Sequence, residues 1–81
     1  MNRIEMELLR KMIFDREFAE YITQRIDLND FDDLVANQIY TYLIELLFKR
    51  IAIAEEDLFD HFLGQHEVIR SLSLIMNPKD K

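Results

Sequence analysis

Apolar residues recur at helical spacing along this chain, and they are densest between Leu34 and Phe48. Apart from the tyrosines, four side chains in that stretch are polar, and on a helix they share one narrow strip: Asn37, Gln38, Thr41 and Glu45. A helix that is apolar around most of its circumference needs packing partners on at least two sides. The run is too long for an ordinary strand and too short for a membrane span. The pattern therefore predicts an all-α fold, a compact bundle of about five helices around a central apolar helix, Leu34 to Phe48.

Two shorter amphipathic segments precede the central helix. The first, Arg3 to Phe14, has its apolar side chains on one face, and Ile4 is expected to join that face. Asp15 is the expected N-cap of the second, because its carboxylate can accept hydrogen bonds from the free amides of the first turn. This second helix is predicted to run to about Arg25 and to bury Tyr21. The very short break between the two helices implies a tight helical hairpin.

An acidic connector, residues 27–33, leads into the central helix. Carboxylates at alternate positions are typical of a calcium loop, but here Phe31 occupies the fifth ligand position and no glycine follows it. The connector is better interpreted as a helix start, since acidic side chains are stabilised at the amino end of the helix dipole. Asn29 or Asp30 is the expected cap, and Phe31 is expected to insert into the core.

The segments after the central helix are short and end at residues that stop helices. A helix is predicted from Glu55 to Leu63, and it ends at Gly64, which can take positive φ without strain. A last helix is predicted from Gln65 to Met76, just before the chain's one proline. The sequence therefore predicts one domain over residues 1–78 and a polar tail at 79–81.

The composition indicates that this small domain meets a protein partner. Hydrophobic residues make up 49% of the 81 residues, which is more apolar material than a domain of this size normally hides. The surplus predicts an exposed apolar patch, which a partner or a missing part of the same chain would cover. With 16 acidic and 10 basic residues the formal charge is −6, whereas a nucleic-acid-binding surface normally has the opposite sign. We therefore expect a protein partner and no direct binding to nucleic acid or membrane.

The chain offers little chemistry for catalysis or for holding a cofactor. It has no cysteine, which excludes disulfides, thiolate metal sites and cysteine nucleophiles. His61 could share a metal ion with Asp57, but such a site lacks a third ligand, and His66 does not share a face with His61. Ser71 and Ser73 have no base at a recognisable spacing. The sequence therefore predicts a protein that is not an enzyme and has no cofactor and no metal.

The order and spacing of these segments resemble a known family. The chain is similar to the helicase-interaction domain at the C-terminus of bacterial DnaG-type DNA primases, which is itself related to the N-terminal domain of the DnaB-type replicative helicase. The resemblance is carried by the following residues: Glu7-Leu8-Leu9, Met12-Ile13, the Phe18 to Ile26 helix, Asp30-Phe31, Ile39-Tyr40 with Tyr42, and Ser71-Leu72-Ser73-Leu74-Ile75. The run from Ser71 to Ile75 resembles the primase more than the helicase.

The resemblance implies a helical module in the cytoplasm that contacts the N-terminal domain of the replicative helicase and couples priming to unwinding. The family's acidic metal site and zinc module have no counterpart in these residues, so primer synthesis is not expected of them. Two alternatives stay open: the N-terminal collar domain of the helicase itself, and a stand-alone adaptor or inhibitor from a mobile element that mimics either domain. The chain would be a piece of a longer primase or a small stand-alone relative, and a monomer by itself.

Candidate contacts with the partner are residues that a small bundle cannot easily bury. Three belong to one seam of the central helix, and three are basic residues around the first turn of the chain: Tyr40, Ile44 and Phe48, with Arg10, Lys11 and Arg16. The basic residues would meet an acidic partner. The competing interpretation places the aromatic residues in the core and the charges on a solvated face.

Overall fold

Five α-helices make up most of the computed structural model, which describes residues 1–77. In chain order the helices and one 3-10 turn are α1 Arg3–Phe14, α2 Arg16–Ile22, the turn Leu28–Asp30, α3 Leu34–Phe48, α4 Glu55–His61 and α5 His66–Met76. No strand occurs within the described part of the chain. The predicted all-α fold is therefore confirmed. Pro78 and the predicted polar tail at 79–81 lie outside the described residues.

The central position of α3 follows from how little of its surface is polar. It packs against α1, α5 and the 3-10 turn. Its most deeply buried side chains are 6% exposed or less: Ala36, Ile39, Tyr40, Leu43 and Leu46. The other helices and the connector contribute further core side chains: Leu9, Met12, Ile13, Ala19, Phe31, Leu58, Phe62, Val68, Leu72 and Ile75. The prediction that α3 is the central helix is confirmed, as is the insertion of Phe31 into the core.

Side-chain caps fix the starts of the first two helices. In the capping box before α1, the Glu5 amide donates to Asn2 Oδ1 at 2.8 Å, and the Asn2 amide donates to Glu5 Oε1 at 3.1 Å. Asp15 caps α2 as predicted, because its carboxylate accepts from the Phe18 amide at 3.0 Å. Asp15 alone separates the two helices, and α1 and α2 form the expected hairpin.

The cap of α3 is Asp33, and the prediction of Asn29 or Asp30 is wrong. Asp33 Oδ2 accepts from the Ala36 amide at 3.0 Å. Asp30 is already used within the 3-10 turn, where its carboxylate accepts from the Asp27 amide at 2.8 Å. The Ala36 amide, assisted by the chain's N-terminal ammonium 3.2 Å away, lowers the pKa of Asp33. The carboxylate that caps the central helix is therefore also part of an ion pair.

Two side chains that were predicted to be buried are exposed. Ile4 is 77% exposed and Tyr21 is 51% exposed. On α1 the inward position is taken by Glu5, which the capping box holds in place, and Ile4 lies about 100° around the helix from it. On the other helix, α2 ends at Ile22 instead of Arg25, and the Arg25 guanidinium lies over the Tyr21 ring at 3.8 Å.

The turn between α4 and α5 is built as predicted, although α4 ends at His61 instead of Leu63. Gly64 has a φ of +92°, a conformation that side chains with a Cβ rarely adopt. A Cβ at this position would meet no heavy atom within 4 Å. The requirement for glycine is therefore conformational and does not come from crowding.

Tyr40 ties the connector before α3 to the core. Its side chain is fully buried, and its hydroxyl donates to the carbonyl oxygen of Ile26 at 2.6 Å. Its ring centroid lies 4.7 Å from that of Phe31, with the planes tilted by 43°. Burial, with smaller contributions from Asp27 and Asp30, raises the pKa of Tyr40.

Replacing Tyr40 with Phe is expected to lower the free energy of unfolding by about 1 kcal/mol at neutral pH, because the Ile26 carbonyl loses its donor. The raised pKa means that folding favours the neutral hydroxyl. This contribution is complete below about pH 10 and is lost as the pH rises through the folded-state pKa. Urea unfolding of the wild type and Tyr40→Phe, at pH 7 and in steps above about pH 9.5, measures both effects.

The alkaline decrease in stability should be shallower in Tyr40→Phe than in the wild type. The matched control is Tyr21→Phe, which removes a hydroxyl from a half-exposed ring and should leave the unfolding midpoint at pH 7 unchanged. Equal unfolding midpoints for the wild type and Tyr40→Phe at pH 7 would contradict the role given to this hydrogen bond.

Candidate interaction surface

The predicted contact residues lie in three different places. Tyr40 lies in the core. Arg16, Ile44 and Phe48 line a groove between α2 and α3. Arg10 and Lys11 line a groove between α1 and α5. Tyr40 is completely buried, so the prediction that it contacts a partner is wrong. The seam that contains it is covered by the 3-10 turn and its connector along the first half of α3 and emerges only toward the last turn.

The first groove lies between α2 and the end of α3, and we call it the α2–α3 groove. It encloses about 620 Å³ and is lined by Arg16, Glu20, Thr23, Gln24, Ile44, Leu47, Phe48 and Arg50. Ile44 and Leu47 are half-buried and pack against the core, whereas Phe48 is 87% exposed. Phe48 thus projects into solvent beside two half-buried aliphatic side chains.

The side chain of Arg16, in the α2–α3 groove, joins α2 to the connector that follows α3. Its Nη1 donates to the carbonyl oxygen of Ile51 at 2.8 Å, and its Nε lies 3.4 Å from Glu20 Oε2. These bonds hold the start of α2 against the connector that follows α3. A partner would therefore have to compete with them for the guanidinium of Arg16.

The end of α3, beside Phe48, has a backbone conformation that favours glycine. Arg50 has a φ of +60° and is the one non-glycine residue with positive φ in the described part of the chain. Its amide donates to the Leu47 carbonyl at 3.1 Å, and the Ile51 amide donates to the Leu46 carbonyl at 2.9 Å. These two bonds define a Schellman motif, in which glycine is usual because a Cβ costs about 1 kcal/mol. Strain of this kind is common at functional sites.

The second groove lies between α1 and the end of α5, and we call it the α1–α5 groove. It encloses about 640 Å³ and is lined by Arg3, Met6, Glu7, Arg10, Lys11, Phe14, Asp15, Leu74 and Ile75. Its largest exposed apolar side chains are Phe14, at 56%, and Leu74, at 51%. The guanidinium carbon of Arg10 lies 5.9 Å from the centre of the Phe14 ring, and Lys11 Nζ lies 5.1 Å from the Phe18 ring. The groove thus combines an apolar floor with basic side chains.

The helical pattern identified Arg10 and Lys11 but missed Phe14 and Leu74. Several of the exposed large hydrophobic residues lie in the first or last turn of a helix or just beyond one: Ile4, Phe14, Leu34, Phe48, Ile51, Leu63 and Leu74. In a bundle of short helices no neighbour reaches these positions. Their position at a helix end is the sequence feature that predicts the exposure of these hydrophobic residues.

Histidine has a packing role in this structure. The ring of His61 stacks on Tyr42, with centroids 3.7 Å apart and planes 11° apart, and so links α4 to α3. Burial, followed by the charges of Asp57 and Glu45, raises the pKa of Tyr42, while Lys49 opposes the shift.

Within residues 1–77 no three metal-ligating side chains come together as a potential metal site.

The most apolar helix, α3, spans about 22 Å, which is less than the hydrocarbon thickness of a bilayer, about 30 Å. Among the helices of the described region, none combines the length and the apolar character that crossing a membrane requires.

Replacing Arg50 with Gly is expected to raise the free energy of unfolding by up to about 1 kcal/mol, because glycine takes positive φ without a Cβ clash. The greater freedom of glycine in the unfolded chain offsets part of this gain. The matched control is Arg50→Ala, which removes the side chain but keeps the clash and should give no gain. Urea unfolding measures all three proteins, and an Arg50→Gly variant less stable than Arg50→Ala would contradict the assignment of strain.

Comparison with known proteins does not assign this chain to a family. No family model matches the sequence, and no significant match is found among curated proteins or solved structures. The similarity to the helicase-interaction domain of primases therefore stays a prediction that depends on the residue pattern.

Proposed function

We propose that this chain is a non-catalytic protein-interaction module of a bacterial replication primase. It contacts the N-terminal domain of the replicative DNA helicase in the cytoplasm and so couples priming to unwinding. The partner is inferred from the resemblance of the residue pattern to the helicase-interaction domain of primases. The observation that carries the proposal is the α2–α3 groove, where Phe48 projects into solvent beside the core.

Phe48 has the properties of an anchor for a partner. Covering a phenylalanine side chain contributes about 1.5 to 3 kcal/mol, and the intact fold leaves most of this ring uncovered. Aromatic anchors that dominate binding are typically surrounded by polar side chains that exclude water. Here Glu20, Thr23, Gln24 and Arg50 provide such a rim.

The groove is also held in a fixed shape before any partner binds. The bond from Arg16 to the Ile51 carbonyl joins its two sides, and the Schellman motif at Arg50 fixes the chain after α3. A surface ordered in advance loses less conformational entropy on binding. Phe48 therefore projects into solvent from a surface whose backbone is fixed on both sides.

The proposal is tested by titrating the ¹⁵N-labelled chain with the helicase N-terminal domain encoded in the same genome and following the amide shifts. Phe48→Glu is expected to weaken binding by at least about tenfold, because it removes the apolar anchor. The matched control is Leu34→Glu, since Leu34 is 78% exposed and lies at the opposite end of α3. The control should bind as the wild type does.

Circular dichroism melting of each variant separates loss of binding from loss of fold. Shifts confined to residues of the α2–α3 groove are expected. The absence of any shift at saturating helicase domain would overturn the proposal. Binding that Phe48→Glu leaves unchanged would overturn the assignment of the groove.

A further inference from the structure

The α1–α5 groove is basic on a chain that is acidic overall. Among its charged side chains, Arg3 is paired with Glu7 at 3.5 Å, and the Asp15 carboxylate is used to cap α2. Arg10 and Lys11 have no acidic partner within 4 Å among residues 1–77. Two uncompensated cations therefore lie beside the exposed apolar side chains of this groove.

A complementary surface lies on α4. Glu56 and Asp60 lie one turn apart on its exposed side, and Leu63 follows in the turn after the helix; we call these three residues the acidic strip. All three are exposed, Leu63 by 77%, and the two carboxylates have no cationic partner in the described region. The inward side of the same segment buries Leu58 and Phe62. The acidic strip is thus free to meet another surface.

The two surfaces match in chemistry and in length. Along α1 the groove runs from Arg3 to Phe14, about 16 Å at the rise of a helix, and the acidic strip spans about 10 Å. No residue of α4 lines the groove, so the two surfaces do not meet within one molecule. We infer that the acidic strip of one chain occupies the α1–α5 groove of a second copy, head to tail.

In this arrangement Leu63 packs against Phe14 and Leu74. The carboxylates of the acidic strip pair with the cations of the groove. Because a head-to-tail contact joins two different surfaces, a linear complex keeps one free groove and one free strip, and further chains can add to it.

The contact is small, and the net charge of −6 opposes it beyond a Debye length of about 8 Å at physiological salt. We therefore expect association only at high protein concentration, so that dilute chains are monomers. The α2–α3 groove takes no part in the contact. The inference therefore does not depend on the helicase assignment, and Phe48→Glu should associate as the wild type does.

Sedimentation of the full chain from about 10 μM to about 1 mM tests the inference. The mass of the wild type should rise with concentration beyond that of a dimer, and less so in high salt. Arg10→Glu and Asp60→Lys should each lower the association constant at least tenfold. The control Arg25→Glu makes the same change of charge as Arg10→Glu, but outside both surfaces. Its association constant should stay within about twofold of that of the wild type.

Mixing the two interface variants gives the most specific result. Arg10→Glu keeps an intact acidic strip, and Asp60→Lys keeps an intact groove, so an equimolar mixture should associate although each variant alone associates weakly. Leu74→Ser, which removes an exposed apolar side chain of the groove, replaces Arg10→Glu if the latter does not fold.

A wild type that stays monomeric at about 1 mM would overturn the inference. Binding of an added acidic peptide to the groove would not rescue it. A closed dimer that stops at two chains would also overturn it. So would an Asp60→Lys variant that associates as strongly as the wild type, or a mixture of the two variants that stays monomeric.

Discussion

The need to cover one apolar helix determines the rest of this structure. α3 has a single narrow polar strip, and leaving its remaining surface in water would cost far more than a domain of this size gains elsewhere. The chain meets this need with the four other helices, a 3-10 turn and a connector, which together contribute the core side chains around α3. The hydroxyl of Tyr40 is a polar group within that core, and its bond to Ile26 fixes the connector in place.

Short helices cover the middle of α3 but not its ends. Leu34 and Phe48, the first and last residues of α3, are 78% and 87% exposed. The same rule exposes Phe14 at the end of α1 and Leu63 just after α4. The surplus of apolar residues in the sequence therefore appears as several separate anchors on the surface and not as one continuous patch.

Much of the fold could be predicted from the sequence because periodicity and capping are local properties. The extent of α3, the cap at Asp15 and the turn at Gly64 all follow from residues within a few positions of one another. The sequence misplaces the cap of α3 because Asp27 and Asp30 close a 3-10 turn of their own, which an acidic run does not reveal. The burial of Tyr40 and the exposure of Phe48 depend on which neighbours reach each turn of α3.

The candidate site was less accessible to sequence reasoning for the same reason. The sequence predicts that Arg16 meets an acidic partner, but its guanidinium donates to the Ile51 carbonyl, which lies close only after the chain folds. The strained conformation of Arg50 has no sequence signature, since arginine is ordinary at the end of a helix.

The role of α3 as the core is tested most directly by native-state hydrogen exchange, residue by residue, on the intact chain. If α3 is the covered element, amides from Ile39 to Leu46 should exchange only through global unfolding, with a protection free energy equal to that from urea unfolding. Amides of α2, which fully buries only Ala19, should exchange sooner. Exchange from Ile39 to Leu46 that is as fast as in α2 would contradict this description of the fold.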